Sequence, residues 1–554
     1  MISPTSPGEA PGRAVEHPRT AVWLLAALVV LHVIPFWAFG YFPSQDGPSH
    51  IENSYALANY DDAGRAYREF YDVNWRPVPN WLSHATLALL MKLLPPLASE
   101  RVLLTGYVVL FALGLLYFIR STCGRGKDWP ALVAFPLVST YLLHMGFYNF
   151  VISVPLAFLA VGYWWRRRDA APGWKSLTVL NLILTLVYFA SVLSQAVALF
   201  CIIGLAALYY GWSRRQGIRR TLALAASLLP CCVLPLYFVL SSPREPSVPG
   251  GDPVRWRYLL GVEGLVSFDS AERYLGVALA AIVGGLAVLA LARRPRWTPG
   301  DRGFLAVALA LIAIYFVAPA KALGGGLLVQ RLSLFPLIVI LPWIGARVAG
   351  RVQAGAGLAA VALALVHLGI SVQYYAALNR GLEEFTSGVG LVGSSETILP
   401  LTFDQKGEAE RIRVYRHASS YYCLESGAIS LSNYEGDKSY FPLMYKRELN
   451  PFLIMGRIES QRGTVSPQRY PRPIDWVLLW SAPDQFPAWP WIEANYELAH
   501  QRGDLKLFRR MAADAAPGAA GAGAAAADGG GPEPSREAPP GQARPVRGRR
   551  LREP

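Results

Sequence analysis

Apolar stretches of roughly membrane length alternate with short polar segments over the first two-thirds of the chain. About 20 apolar residues are needed to cross the hydrocarbon core of a bilayer. The stretch 21–42 approaches that length, and further apolar segments lie near 102–119, 129–143, 150–165, 176–191, 196–212, 221–240, 274–292, 303–318, 332–346 and 354–373. The pattern therefore predicts an all-α polytopic membrane protein with about 11 transmembrane helices. Trp81–Leu94 is shorter, is interrupted by Lys92 and ends at Pro95-Pro96, so it reads as a re-entrant or interfacial segment. After about residue 374 the polarity becomes mixed and short β-like runs appear, such as Trp476-Val-Leu-Leu-Trp480 and Leu505–Phe508. Residues 390–511 thus read as a small α/β exoplasmic C-terminal domain. Residues 512–554 are Ala/Gly/Pro-rich and then Arg-rich; they lack the apolar content to pack and read as a disordered tail.

Composition agrees with the pattern. Of the 554 residues, 53% are hydrophobic and 16% charged, against about 25% charged in soluble proteins. This excludes a soluble enzyme, a disordered hub and a disulfide scaffold. The net charge of +14 could suggest nucleic acid, but the basic residues fall in clusters between apolar runs and in the tail. The clusters are Arg120/Arg125/Lys127, Arg166–Arg168, Arg214/Arg215/Arg219/Arg220, Arg293/Arg294/Arg296 and Arg347/Arg351. With Trp81–Leu94 not crossing, all of them face the cytoplasm, as positively charged loops do. Residues 1–20 then form a cytoplasmic segment, and the first span is a retained signal anchor. The loops 43–101, 241–273 and 319–331 and the C-terminal region face the exoplasmic side. None of the five cysteines stands in a CxxC or Cys/His metal spacing.

By these boundaries the spans hold no Asp, Glu, Lys or Arg, only His32 and His367. Ion-coupled carriers usually place ionisable groups near the midplane, so the pattern weighs against one. Polar chemistry is expected in the exoplasmic loops. The first begins Tyr41-Phe-Pro-Ser-Gln-Asp46-Gly-Pro-Ser-His50-Ile-Glu52-Asn53, with Asp46 at the membrane surface. A carboxylate fixed there can take a proton from an acceptor hydroxyl or amine, with His50 sharing the proton or binding phosphate. Equally, Asp46 can serve as a helix cap after the turn. In the loop 319–331, Lys321 and Arg331 are the only charges and flank three glycines, which suits a lipid phosphate. His144 and Asn149 sit at an outer turn, where they can bond a sugar or cap helix ends. Gln195 lies in the next outer turn; a structural role is favoured there over a sugar or acceptor contact. Arg255-Trp-Arg257 and Asp61-Asp62 read as solvated surface.

One stretch carries a resemblance. Asp46 follows the first span, and Pro77-Val-Pro79-Asn-Trp81-Leu-Ser-His-Ala-Thr-Leu-Ala-Leu-Leu-Met-Lys92-Leu-Leu-Pro95 leads to Ser99-Glu100-Arg101-Val102 at the next. This resembles the GT-C superfamily of membrane glycosyltransferases, nearest in type to protein O-mannosyltransferases and lipid A aminoarabinose transferases. The resemblance is architectural and clearest over residues 20–130. It implies transfer of a sugar from a polyprenyl-phosphate carrier to an exoplasmic acceptor (an envelope glycan, lipid or protein) in a bacterial-type inner membrane, with Asp46 as the base. The chain departs from the family in the turn His144-Met-Gly-Phe-Tyr148-Asn149, which lacks the second carboxylate many members carry. Glu52, or Asp61 and Asp62, is the substitute the sequence offers. A divalent ion would want more than one carboxylate, so no metal ligand is assigned and no cofactor is certain, with a divalent cation left open. The expected partners are the lipid-linked donor and the bilayer, not nucleic acid. The rival reading is a non-catalytic lipid-handling or polysaccharide-assembly protein that does not need Asp46.

Overall fold

A computed structural model describes residues 19–170, 173–211, 215–242, 254–293, 297–322, 325–460 and 462–512. The expected cytoplasmic segment 1–20 lies almost wholly outside the described residues, and the expected disordered tail does too.

Eight helices among the described residues are long and apolar enough to cross a membrane. Helix α1 (Thr20–Ala38) is the first, and Gly350–Phe385 is the last and longest. Arg215–Ser227 and Leu229–Ser241, bent by 60° at the break at Leu228, make a ninth if counted as one span. The two remaining expected spans are the shorter apolar helical stretches Trp129–His144 and Trp174–Ala190. Trp81–Leu90 is a helix of 10 residues, and at 1.5 Å per residue its length of about 15 Å is half a bilayer core.

The expectation that the spans hold no charged residue is corrected. Pro96 at its first turn starts the second long helix at Pro96, six residues before the apolar run, so Glu100 and Arg101 lie inside it. Glu100 is buried and accepts a hydrogen bond from Tyr148 Oη at 2.5 Å. Arg101 donates to the carbonyls of Phe39 and Gly40, the end of α1. Glu272 likewise opens Glu272–Ala292 and accepts the backbone N–H groups of Ser267 and Phe268. These carboxylates satisfy helix ends and neighbours; neither lines the large cavity described below.

Helix α2 (Gly47–Ala58) follows in the first loop, and every residue in it except Tyr55 and Leu57 is buried. What covers it is the C-terminal region. Strands β1 (Tyr71–Val73), β2 (Thr397–Thr402), β3 (Ile429–Ser430), β4 (Leu443–Tyr445), β5 (Trp476–Trp480), β6 (Tyr496–Arg502) and β7 (Leu505–Arg510) form two sheets. The larger has the order β3-β2-β5-β7-β6, parallel across β3-β2-β5 and antiparallel across β5-β7-β6. The wholly apolar run of β5 is buried throughout, as a central strand requires. The smaller sheet pairs β1 of the first loop with β4, aligning Tyr71 with Tyr445. The first loop and the C-terminal region are therefore joined strand to strand. Their apolar side chains also share one cluster, in which Tyr67, Phe70 and Tyr71 meet Leu399, Leu443 and Ile474.

Candidate active site

Asp46 precedes α2, and its side chain makes no capping hydrogen bond to that helix. The capping alternative is thus not what this carboxylate does. The backbone around it is held from the opposite turn: Gln45 N–H donates to His144 O at 2.9 Å, and Asp46 N–H to Met145 O at 3.1 Å. Gly146 makes this approach feasible. Its φ is +80°, and a Cβ there would stand 2.4 Å from the Gly47 nitrogen. Gly146→Ala is expected to cost about 1–3 kcal/mol from the backbone conformation alone, and more from the clash. A clear drop in the thermal midpoint of the detergent-solubilised protein checks this.

The Asp46 carboxylate is buried. Burial pushes its pKa up, opposed by a hydrogen bond from Gln45 Nε2 (3.0 Å) and then by the charges of His50 and Arg416. His417 Nε2 stands 3.4 Å from Asp46 Oδ1, and His417 Nδ1 is 3.5 Å from Glu459 Oε1. Glu459 in turn takes Arg416 Nη2 at 2.8 Å. Burial, and then Arg416, hold His417 well below its ordinary value, so this imidazole is neutral. Asp46 thus heads a buried row of proton-handling groups contributed by the C-terminal region.

Asp46 and His50 open onto a cavity of about 850 Å³. One wall is apolar, with Val192, Val197, Phe200, Phe238 and Leu311 from membrane helices. The lining also carries polar and charged side groups, among them Asp46, His50, Asn80, Asn149, Arg331 and Tyr434. Arg331 lies over the rings of Phe147 and Phe150, at 4.6 and 5.5 Å. No carboxylate among the described residues forms an ion pair with it, and its Nε has no hydrogen-bond partner there. A half-buried guanidinium without a counter-ion among the described residues, its Nε shielded from solvent, would be satisfied by an anionic ligand.

The remaining expected residues divide. Asn149 lines the cavity and also ties the neighbouring loop, accepting from Ser83 N–H (2.7 Å) and donating to Asn80 O (2.9 Å). Lys321 is not itself in the lining, though Pro319, Ala322, Gly325 and Gly326 of its loop are. His144 stands behind the site, bonded to Ser267 Oγ (2.9 Å) and Tyr375 Oη (2.7 Å). Gln195 donates to Cys231 O at 2.8 Å and ties two helices together. Arg255 donates to the carbonyls of Tyr315, Phe316 and Ala318 at the end of a span, and Arg257 pairs with Glu263. Asp61 and Asp62 pair with Arg68 and Arg65 at the surface.

Glu52 is absent from the cavity lining. It is buried against Ser420, Cys423 and Ser430, and burial pushes its carboxyl up to about 8. It is therefore protonated at neutral pH. The isosteric Glu52→Gln is expected to leave turnover within about twofold of wild type, since a neutral amide preserves the packing. A loss of 100-fold or more would return Glu52 to the chemistry.

Sequence reasoning missed His84, Arg416, His417, Tyr434, Glu435 and Glu459. His84 lay in the Pro-led stretch already quoted, where nothing marked its direction. The others lie in the C-terminal region, more than 350 residues from Asp46 in sequence.

The geometry can be set beside known proteins. The sequence matches no family model and no curated protein. Its structure matches two crystal structures of ArnT from Cupriavidus metallidurans, one bound to undecaprenyl phosphate and one in the apo state. Each match has a TM-score of 0.53 at 10% identity and covers 90% of this chain and 99% of that one. The fold is GT-C-like. The match covers nine-tenths of this chain, so it extends past the bundle of apolar helices into the C-terminal region.

Proposed function

We propose that this protein is a glycosyltransferase that moves a sugar from a polyprenyl-phosphate carrier to an exoplasmic acceptor. One observation carries the reading: the apolar cavity reaches both a half-buried guanidinium, Arg331, with no ion-pair partner among the described residues, and a buried carboxylate, Asp46. An isoprenoid chain would lie along Val192, Val197 and Phe200, with its phosphate on Arg331. Lys321, in the loop beside the cavity, is assigned the second phosphate contact.

In the transfer, an acceptor oxygen or nitrogen forms a bond to the anomeric carbon. The bond from that carbon to the donor phosphate oxygen breaks, and its electron pair leaves on the phosphate. The acceptor's proton passes to Asp46. Arg331 stabilises the charge that grows on the departing phosphate, the kind of preorganised electrostatic help that contributes most in a water-poor site. His417 and Glu459 lie behind Asp46 as positioning residues. The charge pattern of the loops supports a bacterial-type inner membrane, with the N-terminus cytoplasmic and the site and C-terminal region exoplasmic.

The test is donor turnover. Purified protein is incubated with a panel of polyprenyl-phosphate sugars and an envelope extract, and released polyprenyl phosphate is measured. Release from one donor, coupled to labelling of an acceptor, is expected. Lipid binding without release from any donor would instead favour the non-catalytic lipid-handling reading.

A further inference from the structure

Beside the Asp46 site stands a second buried cluster that the transfer chemistry does not use. His50 lies on α2, His84 on Trp81–Leu90, and Glu435 in the C-terminal region between β3 and β4. All three are nearly inaccessible to solvent. His50 Nδ1 is 2.5 Å from Glu435 Oε1, and His84 Nε2 is 2.7 Å from Glu435 Oε2. One donor atom from each residue lies within 4.8 Å of the other two.

The outer faces of the two rings are already committed. His84 Nδ1 bonds Asn80 O at 2.9 Å, and the His50 ring bonds the backbone carbonyl of Gly146. A nitrogen facing a carbonyl must carry the proton. The other nitrogen of each ring then presents its lone pair to the Glu435 carboxylate unless a cation stands between them. The two contacts differ: His84 Nε2 stands at ordinary hydrogen-bond distance from Glu435 Oε2, while His50 Nδ1 and Oε1, 2.5 Å apart, make no hydrogen bond. A divalent ion between the three groups would take one lone pair from each ring and one carboxylate oxygen. Histidine ligands held by carbonyls on their outer nitrogens are the usual arrangement around a bound metal.

We propose that His50 Nδ1, His84 Nε2 and a Glu435 carboxylate oxygen bind one divalent transition-metal ion of the zinc class. Two imidazoles and one carboxylate suit zinc rather than magnesium or calcium, which take oxygen ligands. Bonds of about 2.0–2.2 Å in tetrahedral geometry need donors about 3.3 Å apart. The present contacts, 2.5 and 2.7 Å to the carboxylate with all three donors within 4.8 Å of one another, bracket that spacing. The ring of Phe441, packed against His50 and His84 at 6.0 and 5.7 Å, helps keep the site dry. The ion ties α2, the short helix Trp81–Leu90 and the C-terminal region to one point. Of the three ligands, only His50 also lines the cavity. As a metal ligand, His50 is not the proton carrier that the sequence suggested. The site stands on its own geometry and does not depend on the transfer reaction.

The test uses the full-length, tag-free protein in detergent. Elemental analysis is expected to find about one zinc per chain, falling below a tenth of that in Glu435→Gln. His500→Ala, at a histidine outside the cluster, is expected to keep its zinc. Protein stripped with a chelator is then titrated with Co²⁺ alone. Visible d–d absorption that saturates at one equivalent is expected, and this needs no variant to fold. Wild-type protein that is folded and holds less than a tenth of an equivalent of zinc, and whose stripped form gives no saturable cobalt spectrum, would overturn the proposal. Zinc retained in full by folded Glu435→Gln would overturn the ligand assignment.

Discussion

Asp46→Asn is expected to lower turnover of the lipid-linked donor by about 10²–10⁴-fold, the usual contribution of a positioned general base. The amide keeps the shape of the carboxyl and can still meet Gln45, but it cannot take the acceptor's proton. Donor binding should change little, so the loss appears in kcat rather than in KM. The pH profile of wild type is a second readout. Asp46 acts as a base only when ionised, and burial raises its pKa above the ordinary aspartate value. Rate therefore falls on the acid side, at a higher pH than an ordinary exposed Asp would give. Equal turnover by wild type and Asp46→Asn would remove Asp46 from the chemistry.

The second large effect is expected at Arg331. Arg331→Ala removes a charge-assisted contact to the donor phosphate worth about 1.5–3 kcal/mol, or about 10- to 100-fold. The loss should fall on donor KM and also on kcat, because charge grows on the phosphate as it leaves. Arg331→Lys keeps the charge but loses the fork that binds two oxygens, and it stacks less well on Phe147 and Phe150. An intermediate rate is expected. Steady-state kinetics with varied donor separates these cases. Unchanged kinetics in Arg331→Ala would place the phosphate elsewhere.

The membrane architecture was legible because hydrophobic length is a strong signal. The runs that became full helices, such as Pro96–Cys123 and Glu272–Ala292, were all visible. Their starting points were not, because Pro96 and the Glu272 cap set them rather than apolar content. Asp46 and Arg331 could be picked out as charges beside spans. Their meeting at one cavity could not, since that depends on how helices far apart in sequence pack. The larger gap is the C-terminal region. In the sequence it is a mixed run with no motif, and only its folding against the first loop, as in the pairing of β1 with β4, brings Glu435 to His50 and His84. Likewise, His417 gains meaning only beside Asp46. Contacts across some 370 residues leave no local periodicity to read.

The most direct measurement is a cryo-EM structure of the protein in lipid nanodiscs with an added polyprenyl phosphate. The account predicts phosphate density on Arg331 and an isoprenoid chain running along Val192, Val197 and Phe200, with Asp46 facing the phosphate's free side. Lipid bound outside this cavity, with Arg331 uncontacted in its presence, would contradict it.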